Sequence, residues 1–495
     1  MTREFGWIGI VRLGLVQACL GAVVVLTTST LNRVMVVELA LPALLPGVLV
    51  ALHYVIQVVR PRMGHGSDVG GRRMPWLIGG MGTLSVGGIT AALAVVWMAT
   101  QPVAGIALAV LGFSLIGLGV SACGTSLLVM LAKRVPAPRR AAAATIVWMM
   151  MIAGFAITAG IAGKLLDPYS PERLLAVTSA VSLLAFGLTL LALRGLEGAS
   201  ESPVRDAQPA REPGPGFRVA LSQVWAEPTA RRFTIFVFVS MLAYSSQDLI
   251  LEPFAGSVFG YTPGESTQLS GVQHGGVLLG MVLVAVAGSG LLGRLIARLV
   301  GRRPGAVVDG GQAALDRLAS LRAWTVGGCI ASALALLGLV AAGLTGGAWP
   351  FKATVFLLGV ANGAFSIAAI GSMMSLAGQG RESREGVRMG MWGAAQAVAF
   401  GLGGLVGTGA SDLARWWFGM PGVAYAAVFA FEAALFVVSA WLAARGTSGR
   451  AALQSAADAD VFTAPHRGAT LVSAPRLASR EPPAGDAQIA AIQSR

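Results

Sequence analysis

Apolar runs long enough to cross a membrane recur along this chain, and no other feature limits its fold as strongly. A helix of about 20 apolar residues spans the hydrocarbon core of a bilayer, which is about 30 Å thick. With 55% hydrophobic and 12% charged residues, the composition excludes an ordinary soluble protein. We predict an all-α membrane protein with twelve transmembrane helices. The predicted spans are 14–38, 45–61, 75–98, 104–132, 142–164, 173–193, 232–255, 268–293, 324–345, 351–378, 387–410 and 422–444.

The distribution of Lys and Arg predicts the side of the membrane that each loop faces, because cytoplasmic loops are enriched in these residues. If both termini are cytoplasmic, the opposite side carries only Lys164, Arg173, Lys352 and Arg415 of the 36 Lys and Arg residues. Arg33 falls inside the first predicted span. The net charge of +13 is therefore interpreted as a topological signal and an affinity for anionic lipids, with no indication of nucleic-acid binding.

Polar segments divide the chain into two parts of similar size. Residues 195–231 are rich in Pro, Glu, Arg and Ser, and we expect them to form a cytoplasmic linker that includes a short interfacial helix at Gly216–Trp225. The linker would join a six-helix half at 1–194 to a second six-helix half at 232–444. Residues 445–495 lack apolar periodicity and are expected to be a disordered cytoplasmic tail.

The two halves contain similar sequence segments. Asn32–Glu38 (NRVMVVE) aligns with Ser246–Glu252 (SQDLILE), and both segments end on an acidic residue. Internal repeats are typical of transporter folds, in which the binding site lies where the repeats meet. The other matched pairs are His53 with His274 and Trp148 with Trp392.

Ionisable residues inside predicted spans are candidates for a functional site, because a charge at mid-membrane costs roughly 2.5–3.5 kcal/mol on insertion scales. Arg33 and Glu38 lie about 140° apart around an α-helix, so we expect no close pair between them. Asp248 and Glu252 share one helix face and need a cation, a metal or a proton nearby. Arg33 is a candidate partner for either acid. A structural salt-bridge network, contact with a substrate and proton coupling all remain open as roles for this group.

Two histidines and two tryptophans are further candidates. His53 stands one turn from Gln57, and His274 follows Gln273. A neutral imidazole is a good axial ligand for the metal of a macrocycle, but a histidine inside a membrane more often bonds to a neighbouring helix. The remaining candidates are Asn32, together with Trp148 and Trp392, which either line an apolar cavity or simply pack. Cys19, Cys123 and Cys329 stand singly, so no thiolate metal site is predicted.

The loop after the second span, GHGSDVGGRR (Gly64–Arg73), has the pattern G-x-x-x-D-x-x-G-R-R. It resembles the loop between helices two and three of the major facilitator superfamily. That resemblance implies a cytoplasmic latch in which an Asp pairs with Arg. The residues that match the pattern are Gly64, Asp68, Gly71, Arg72 and Arg73. The segment Gly293–Arg303 of the second half has Ala297 at the acidic position, so the latch is expected to be one-sided.

Three segments together resemble the PucC/LhaA family of phototrophic bacteria: LNRVMVVELALP (Leu31–Pro42), the GHGSD loop, and QDLILEPFAGSVFG (Gln247–Gly260). The resemblance covers residues 14–444 and implies a major facilitator fold in the inner or photosynthetic intracytoplasmic membrane. It implies a non-enzymatic protein that handles bacteriochlorophyll and assists the assembly of light-harvesting antenna polypeptides. The segment His53–Val59 and the short loop after it depart from the antenna-assembly members. They imply a subgroup that accompanies late bacteriochlorophyll synthesis, for example with geranylgeranyl reductase.

The same resemblance implies partners and ligands. Antenna polypeptides or enzymes of bacteriochlorophyll synthesis are the expected partners, and bacteriochlorophyll or a precursor is the expected bound molecule, with no required cofactor. The candidate axial ligands of the chlorin magnesium are Glu38, Glu252, His53 and His274. Two other classes remain open, a proton-coupled transporter of a small solute or pigment that uses the same acids, and a scaffold that binds proteins alone. An enzyme is not expected, since the chain has no nucleotide-binding or prenyl-diphosphate motif.

Overall fold

The chain is helical through nearly all of the residues that the computed structural model describes, which are 5–57, 73–136, 139–196, 217–288, 320–346, 348–377 and 385–446. Thirteen helices are numbered here in chain order. They are α1 (Trp7–Glu38), α2 (Leu44–Ile56), α3 (Met74–Met98), α4 (Pro102–Arg134), α5 (Arg140–Leu166), α6 (Pro171–Leu193), α7 (Phe217–Ala226), α8 (Pro228–Phe259), α9 (Pro263–Gly288), α10 (Leu321–Thr345), α11 (Phe351–Ala377), α12 (Glu385–Phe418) and α13 (Pro421–Gly446).

Eleven of these helices have the length and apolar composition needed to cross a membrane. The second predicted span is represented by α2, an apolar helix of 13 residues whose predicted continuation to residue 61 lies outside the described residues. The all-α membrane fold is confirmed, and the arrangement is compatible with twelve spans. The short helix predicted at Gly216–Trp225 corresponds to α7, and the tail after residue 446 lies outside the described part of the chain.

Proline and glycine define many of the helix ends. Five helices begin at a proline, where the missing N–H group would have no partner inside the helix. Helix α8 ends at Gly260, with φ +68°, and α10 ends at Gly346, with φ +59°. A residue without Cβ adopts this left-handed conformation at little cost, so the chain can turn sharply into the next helix.

The apolar core consists of two large clusters and one small one. Buried residues between 5 and 196, joined by Leu249, form the first cluster, and residues between 236 and 440 form the second. The small cluster lies between them, where Ile152 of α5 meets Val277 and Met281 of α9. The described helices nevertheless belong to one compact unit, so the two predicted halves are distinguished by their cores and not as separate domains.

Small residues allow helices from the two clusters to approach closely. A Cβ atom at Gly163 of α5 would lie 2.6 Å from the carbonyl oxygen of Gly264, and a Cβ at Gly271 of α9 would lie 2.9 Å from the backbone nitrogen of Gly160. Helix–helix contacts in membranes depend on such close backbone approach, because lipid provides no hydrophobic force between helices. These contacts hold α5 against α9 and so bring the candidate residues of both clusters near each other.

Candidate functional site

Helix α1 contains two wide π-helical turns, Leu26–Thr30 and Val34–Glu38, on either side of Arg33. The hydroxyl groups of Thr27 and Thr28 both donate to the carbonyl oxygen of Val24, at 2.8 and 3.1 Å. Hydroxyls that bond into the helix backbone in this way compete with the regular ladder and often bend a helix. Single π turns are frequently found at functional sites.

Arg33 and Glu38 form an ion pair, with Nη1 donating to Oε1 at 2.5 Å. The expectation that these two residues could not pair is wrong, because it assumed a regular α-helix. Val34–Glu38 is a π turn, whose i→i+5 bonding brings residue 38 beside residue 33. Arg33 is 2% exposed, and its Nη2 also donates to the carbonyl oxygen of Tyr261 at 2.5 Å. A Cβ at Gly256 would lie 2.9 Å from that Nη2, so glycine leaves the space that the guanidinium occupies.

Four contacts join α1 to α8, α9 and the loop between them, and we call these residues the polar seam. Ser29 donates to Glu252, and the hydroxyls of Thr30 and Thr267 are 2.9 Å apart. Asn32 Nδ2 donates to the carbonyl oxygen of Leu249 at 2.7 Å, and Arg33 donates to Tyr261 as described. The polar residues of α1 therefore face other helices and not lipid. The polar seam comprises Ser29, Thr30, Asn32, Arg33, Leu249, Glu252, Tyr261 and Thr267.

The two acids of α8 have different partners. Glu252 is 2% exposed, and its Oε2 has no hydrogen-bond partner within the described residues. Asp248 is half-buried and accepts a long hydrogen bond of 3.4 Å from Gln273 Nε2 of α9. Arg33 was a candidate partner for both acids, but it pairs with Glu38 instead. Among the described residues, neither Asp248 nor Glu252 forms an ion pair with it.

The two candidate histidines are both buried but differ in their hydrogen bonds. His53 Nε2 lies 2.9 Å from Gln57 Nε2. His274 Nδ1 lies 2.8 Å from the carbonyl oxygen of Ser270, which can only accept, so Nδ1 carries the proton. In a neutral ring this leaves Nε2 as the acceptor, the form that binds a metal. The His274 ring also packs edge-on against Phe155 of α5, with centroids 5.0 Å apart.

The two matched tryptophans lie in different surroundings. Trp392 is 1% exposed, packs against Phe233 at 5.0 Å, and donates to the carbonyl oxygen of Ala230 at 3.5 Å. It belongs to the packing of the second half and is not brought to the polar seam. Trp148 packs against the small cluster between the two large ones. Similar positions in the sequence repeat therefore do not give these two side chains similar neighbours.

The predicted cytoplasmic latch falls almost entirely outside the described residues. Gly64, Asp68, Gly71 and Arg72 are in that group, as is the second-half segment 293–303. Arg73 is described; it is 9% exposed and stands directly before α3. The latch stays a prediction.

The end of the molecule that carries the loop between α5 and α6 is tied together by polar contacts. Thr262 donates to Asp167 at 3.0 Å, and the Asp412 carboxylate accepts from the backbone nitrogens of Ala43 and Leu44 at 3.0 and 2.8 Å. In the same loop, burial and the nearby Glu38 carboxylate raise the pKa of Tyr169. Its hydroxyl therefore stays neutral beside the Arg33–Glu38 pair.

Glu432 of α13 is a buried acid that the sequence analysis missed. It is 0% exposed, and neither carboxylate oxygen has a hydrogen-bond partner in the described part of the chain. The signal was present in the sequence, since AVFAFEAALF (427–436) holds a single acid among apolar residues. An intramembrane acid is a functional candidate by default.

The described residues offer no group of three or more His, Cys, Asp and Glu side chains that could hold a free metal ion. Glu252 Oε2 and His274 Nε2 are each chemically able to act as a single metal ligand, because carboxylate and imidazole groups are ordinary metal ligands.

The helices and the polar seam between two cores define a polytopic membrane protein with the fold of the major facilitator transporters. A bacterial homologue of the human lysosomal transporter Spinster, solved in an inward-facing, occupied conformation, aligns with TM-score 0.57 and 15% identity, over 88% of this chain and 96% of that one. A structure from a study of substrate recognition in proton-dependent oligopeptide transporters aligns with TM-score 0.59 and 13% identity, over 89% and 98%. At these identities the likeness concerns the fold alone.

The chain belongs to the PUCC protein family, whose model matches residues 30–308 and 299–449. The family expected from the sequence is thereby confirmed. A relative from Rhodobacter capsulatus named "Bacteriochlorophyll synthase 44.5 kDa chain" is 51% identical over 90% of this chain and 97% of its own length. "Protein PucC" of the same organism is 29% identical over 87% of this chain and 90% of its own length.

The expectation of a non-enzymatic protein is contradicted by the first of these relatives, which is named as a chain of a synthase. The expectation rested on missing nucleotide-binding and prenyl-diphosphate motifs. Missing motifs are weak grounds, because an active site can be built without any of the common ones.

Proposed function

We propose that this protein is a membrane component of late bacteriochlorophyll synthesis that holds bacteriochlorophyll or a precursor beside the polar seam. The name of one relative supports the choice of bacteriochlorophyll as the bound molecule, since that relative is called a bacteriochlorophyll synthase chain. The protein would lie in the inner or photosynthetic intracytoplasmic membrane with both termini in the cytoplasm. Pigment-synthesis enzymes and antenna polypeptides would receive the pigment from it.

This proposal rests on two atoms that could ligate a metal, on the consecutive helices α8 and α9. Glu252 of α8 has an unpartnered, buried carboxylate oxygen, and His274 of α9 presents Nε2 as an acceptor. A buried polar atom without a partner is uncommon and calls for a ligand or another explanation. Either atom would ligate the chlorin magnesium, and the long apolar tail of the pigment would extend along apolar helix faces or into lipid.

Substituting Glu252 by Gln is expected to lower the amount of bound pigment about tenfold, which corresponds to ~1.4 kcal/mol of binding free energy. An amide keeps the shape of the side chain and its bond to Ser29 but is a far weaker metal ligand than a carboxylate. The measurement is the absorption spectrum of protein purified in mild detergent from pigmented cells, expressed as pigment per polypeptide.

Glu172→Gln is the matched control, because Glu172 is an exposed acid at the start of α6. Unchanged pigment in this control and reduced pigment in Glu252→Gln would support the ligand role. Pigment per polypeptide that is equal in wild type, Glu252→Gln and His274→Phe would contradict it. A colourless wild-type preparation that carries pigment enzymes or antenna polypeptides would contradict pigment binding and favour a protein scaffold.

A further inference from the structure

Glu432 lies in the apolar interior of the second half with no described group to neutralise it. Its side chain is 0% exposed, and the ion pairs among the described residues do not include it. Burying an unpaired carboxylate costs far more free energy than burying the neutral acid. A buried carboxyl group avoids this cost by keeping its proton. The carboxyl of Glu432 therefore has a strong physical reason to be neutral.

Two layers of aromatic contacts set the depth of this acid. In the first layer, Phe254 of α8 packs against Phe429 of α13 with ring centroids 5.0 Å apart. In the second layer, Phe365 of α11 packs against Tyr244 of α8 at 6.3 Å and against Phe436 of α13 at 5.5 Å. Both layers connect α8 with α13, the second through α11, and the residues between them occupy one slab of the interior.

Three polar side chains belong to this slab. Asp248 lies between the two aromatic positions of α8, and Glu432 lies between the two aromatic positions of α13. Asn362 stands one turn before Phe365 on α11 and is 0% exposed. Asp248 and Glu432 also interact electrostatically. The aromatic pairs thus place an amide and two carboxyl groups at similar depth.

Asn362 gives independent evidence for a polar compartment. Its Oδ1 accepts from Ser332 of α10 at 2.8 Å, and its Nδ2 has no acceptor within the described helices. An unpartnered donor at the depth of an unpartnered carboxyl is unusual, since nearly all buried polar groups are hydrogen-bonded. Such a compartment suits a small exchangeable species better than it suits a permanent structural bond.

The other titratable groups around Glu432 do not supply a countercharge. Helix α8 presents Asp248 and Tyr244, and α10 contributes the buried Cys329. Arg415 of α12 is engaged with Tyr425 and with Ser257. Asp248 alone combines a carboxylate with partial exposure, and it contacts Gln273 of α9. Among these groups, Asp248 is the candidate for passing a proton out of the compartment.

We infer that Glu432 is a proton-binding site that exchanges its proton with the interior between the two halves through Asp248. In this exchange the O–H bond of Glu432 breaks, an intervening water molecule takes that proton and gives one of its own to the Asp248 carboxylate, and from Asp248 a proton passes to solvent water, with no change in oxidation state. Buried Asp and Glu residues in membrane proteins commonly serve as such relays. Two interacting acids titrate as a pair, so the two residues share the bound proton. This site is separate from the pigment ligands and does not depend on them.

Infrared spectroscopy of the full-length protein in lipid, recorded during a pH titration in H2O and in D2O, tests this inference. Wild type should show a carbonyl band of a protonated carboxylic acid that shifts in D2O and disappears at alkaline pH. Glu432→Gln should lack this band, and Asp248→Asn should retain it with an altered titration midpoint. Glu172→Gln should match wild type.

Glu432→Gln keeps the shape of the neutral acid, so it should fold with thermal stability close to that of wild type at neutral pH. The band persisting in Glu432→Gln would overturn the assignment. A titration unaffected by Asp248→Asn would overturn the exchange route. A band that disappears on adding sodium at constant pH would contradict the assignment of Glu432 as a proton-binding site and would favour a site for a monovalent cation.

Discussion

Substituting Glu38 by Leu is expected to destabilise the protein by up to about 3–5 kcal/mol, the range measured when one partner of a fully buried ion pair is removed. The reason is that Arg33 would keep its charge where only 3% of its side chain is exposed. The reverse substitution, Arg33→Met, should cost less, because the remaining Glu38 side chain is 35% exposed and can be hydrated. Unfolding in mixed micelles, followed by tryptophan fluorescence, measures both free energies.

The double variant Arg33→Met with Glu38→Leu provides the control for this asymmetry. It has no buried charge left at this position, so it should be more stable than Glu38→Leu alone. The coupling energy of the pair is the loss of stability in the double variant minus the sum of the losses in the two single variants. If the Glu38→Leu variant were as stable as Arg33→Met, the unpaired, buried charge of Arg33 would not be the main cause of the loss of stability. Loss of the bond to Tyr261 would then be the larger effect of removing Arg33.

The membrane-spanning helices were predictable because hydrocarbon thickness imposes a minimum length of apolar sequence on every span. The Arg33–Glu38 pair was not, because its geometry depends on a wide turn in α1. A π turn among apolar residues has the same apolar sequence pattern as a regular α-helical turn, so the pattern does not reveal it. The run Leu26–Thr30 (LTTST) signals only the first wide turn of α1, since its hydroxyls can bond to the backbone of the preceding turn, whereas Val34–Glu38 (VMVVE) contains no hydroxyl.

The candidate site was predicted in part. Comparing the halves pointed to Asn32–Glu38 and to Ser246–Glu252, and Asn32 Nδ2 joins the two segments by donating to the carbonyl oxygen of Leu249. The same comparison matched Trp148 with Trp392, which have different neighbours. A repeat in sequence specifies equivalent places in two halves, but burial depends on helices that differ between them. Glu432 has no counterpart among the matched segments, which explains why comparing the halves did not reveal it.

Replacing Gly363 by Leu is expected to separate α9 from α11. The variant should bind less pigment per polypeptide and unfold at a lower temperature than wild type. A Cβ atom at Gly363 would overlap the carbonyl oxygen of Val277, and one at Gly359 would overlap that of Gln273. Backbone atoms of a helix cannot move aside as a flexible side chain can, so α9 must shift as a unit. Adding bulk to a tightly packed core costs about 1–3 kcal/mol or more. Thermal unfolding in detergent and pigment per polypeptide are the two measurements.

Gly327→Leu on α10 adds the same side chain where a Cβ meets nothing within 4 Å, and it should leave both quantities near their wild-type values. The contrast isolates the approach of α9 to α11, because both substitutions add a leucine to an apolar membrane helix. Gln273 and His274 lie on the helix that Gly363→Leu displaces, so their distances to Asp248 and the polar seam should change with it. Equal losses from both substitutions would show that any added bulk is harmful. In that case the contact of Gly363 with Val277 would not be what positions these donors.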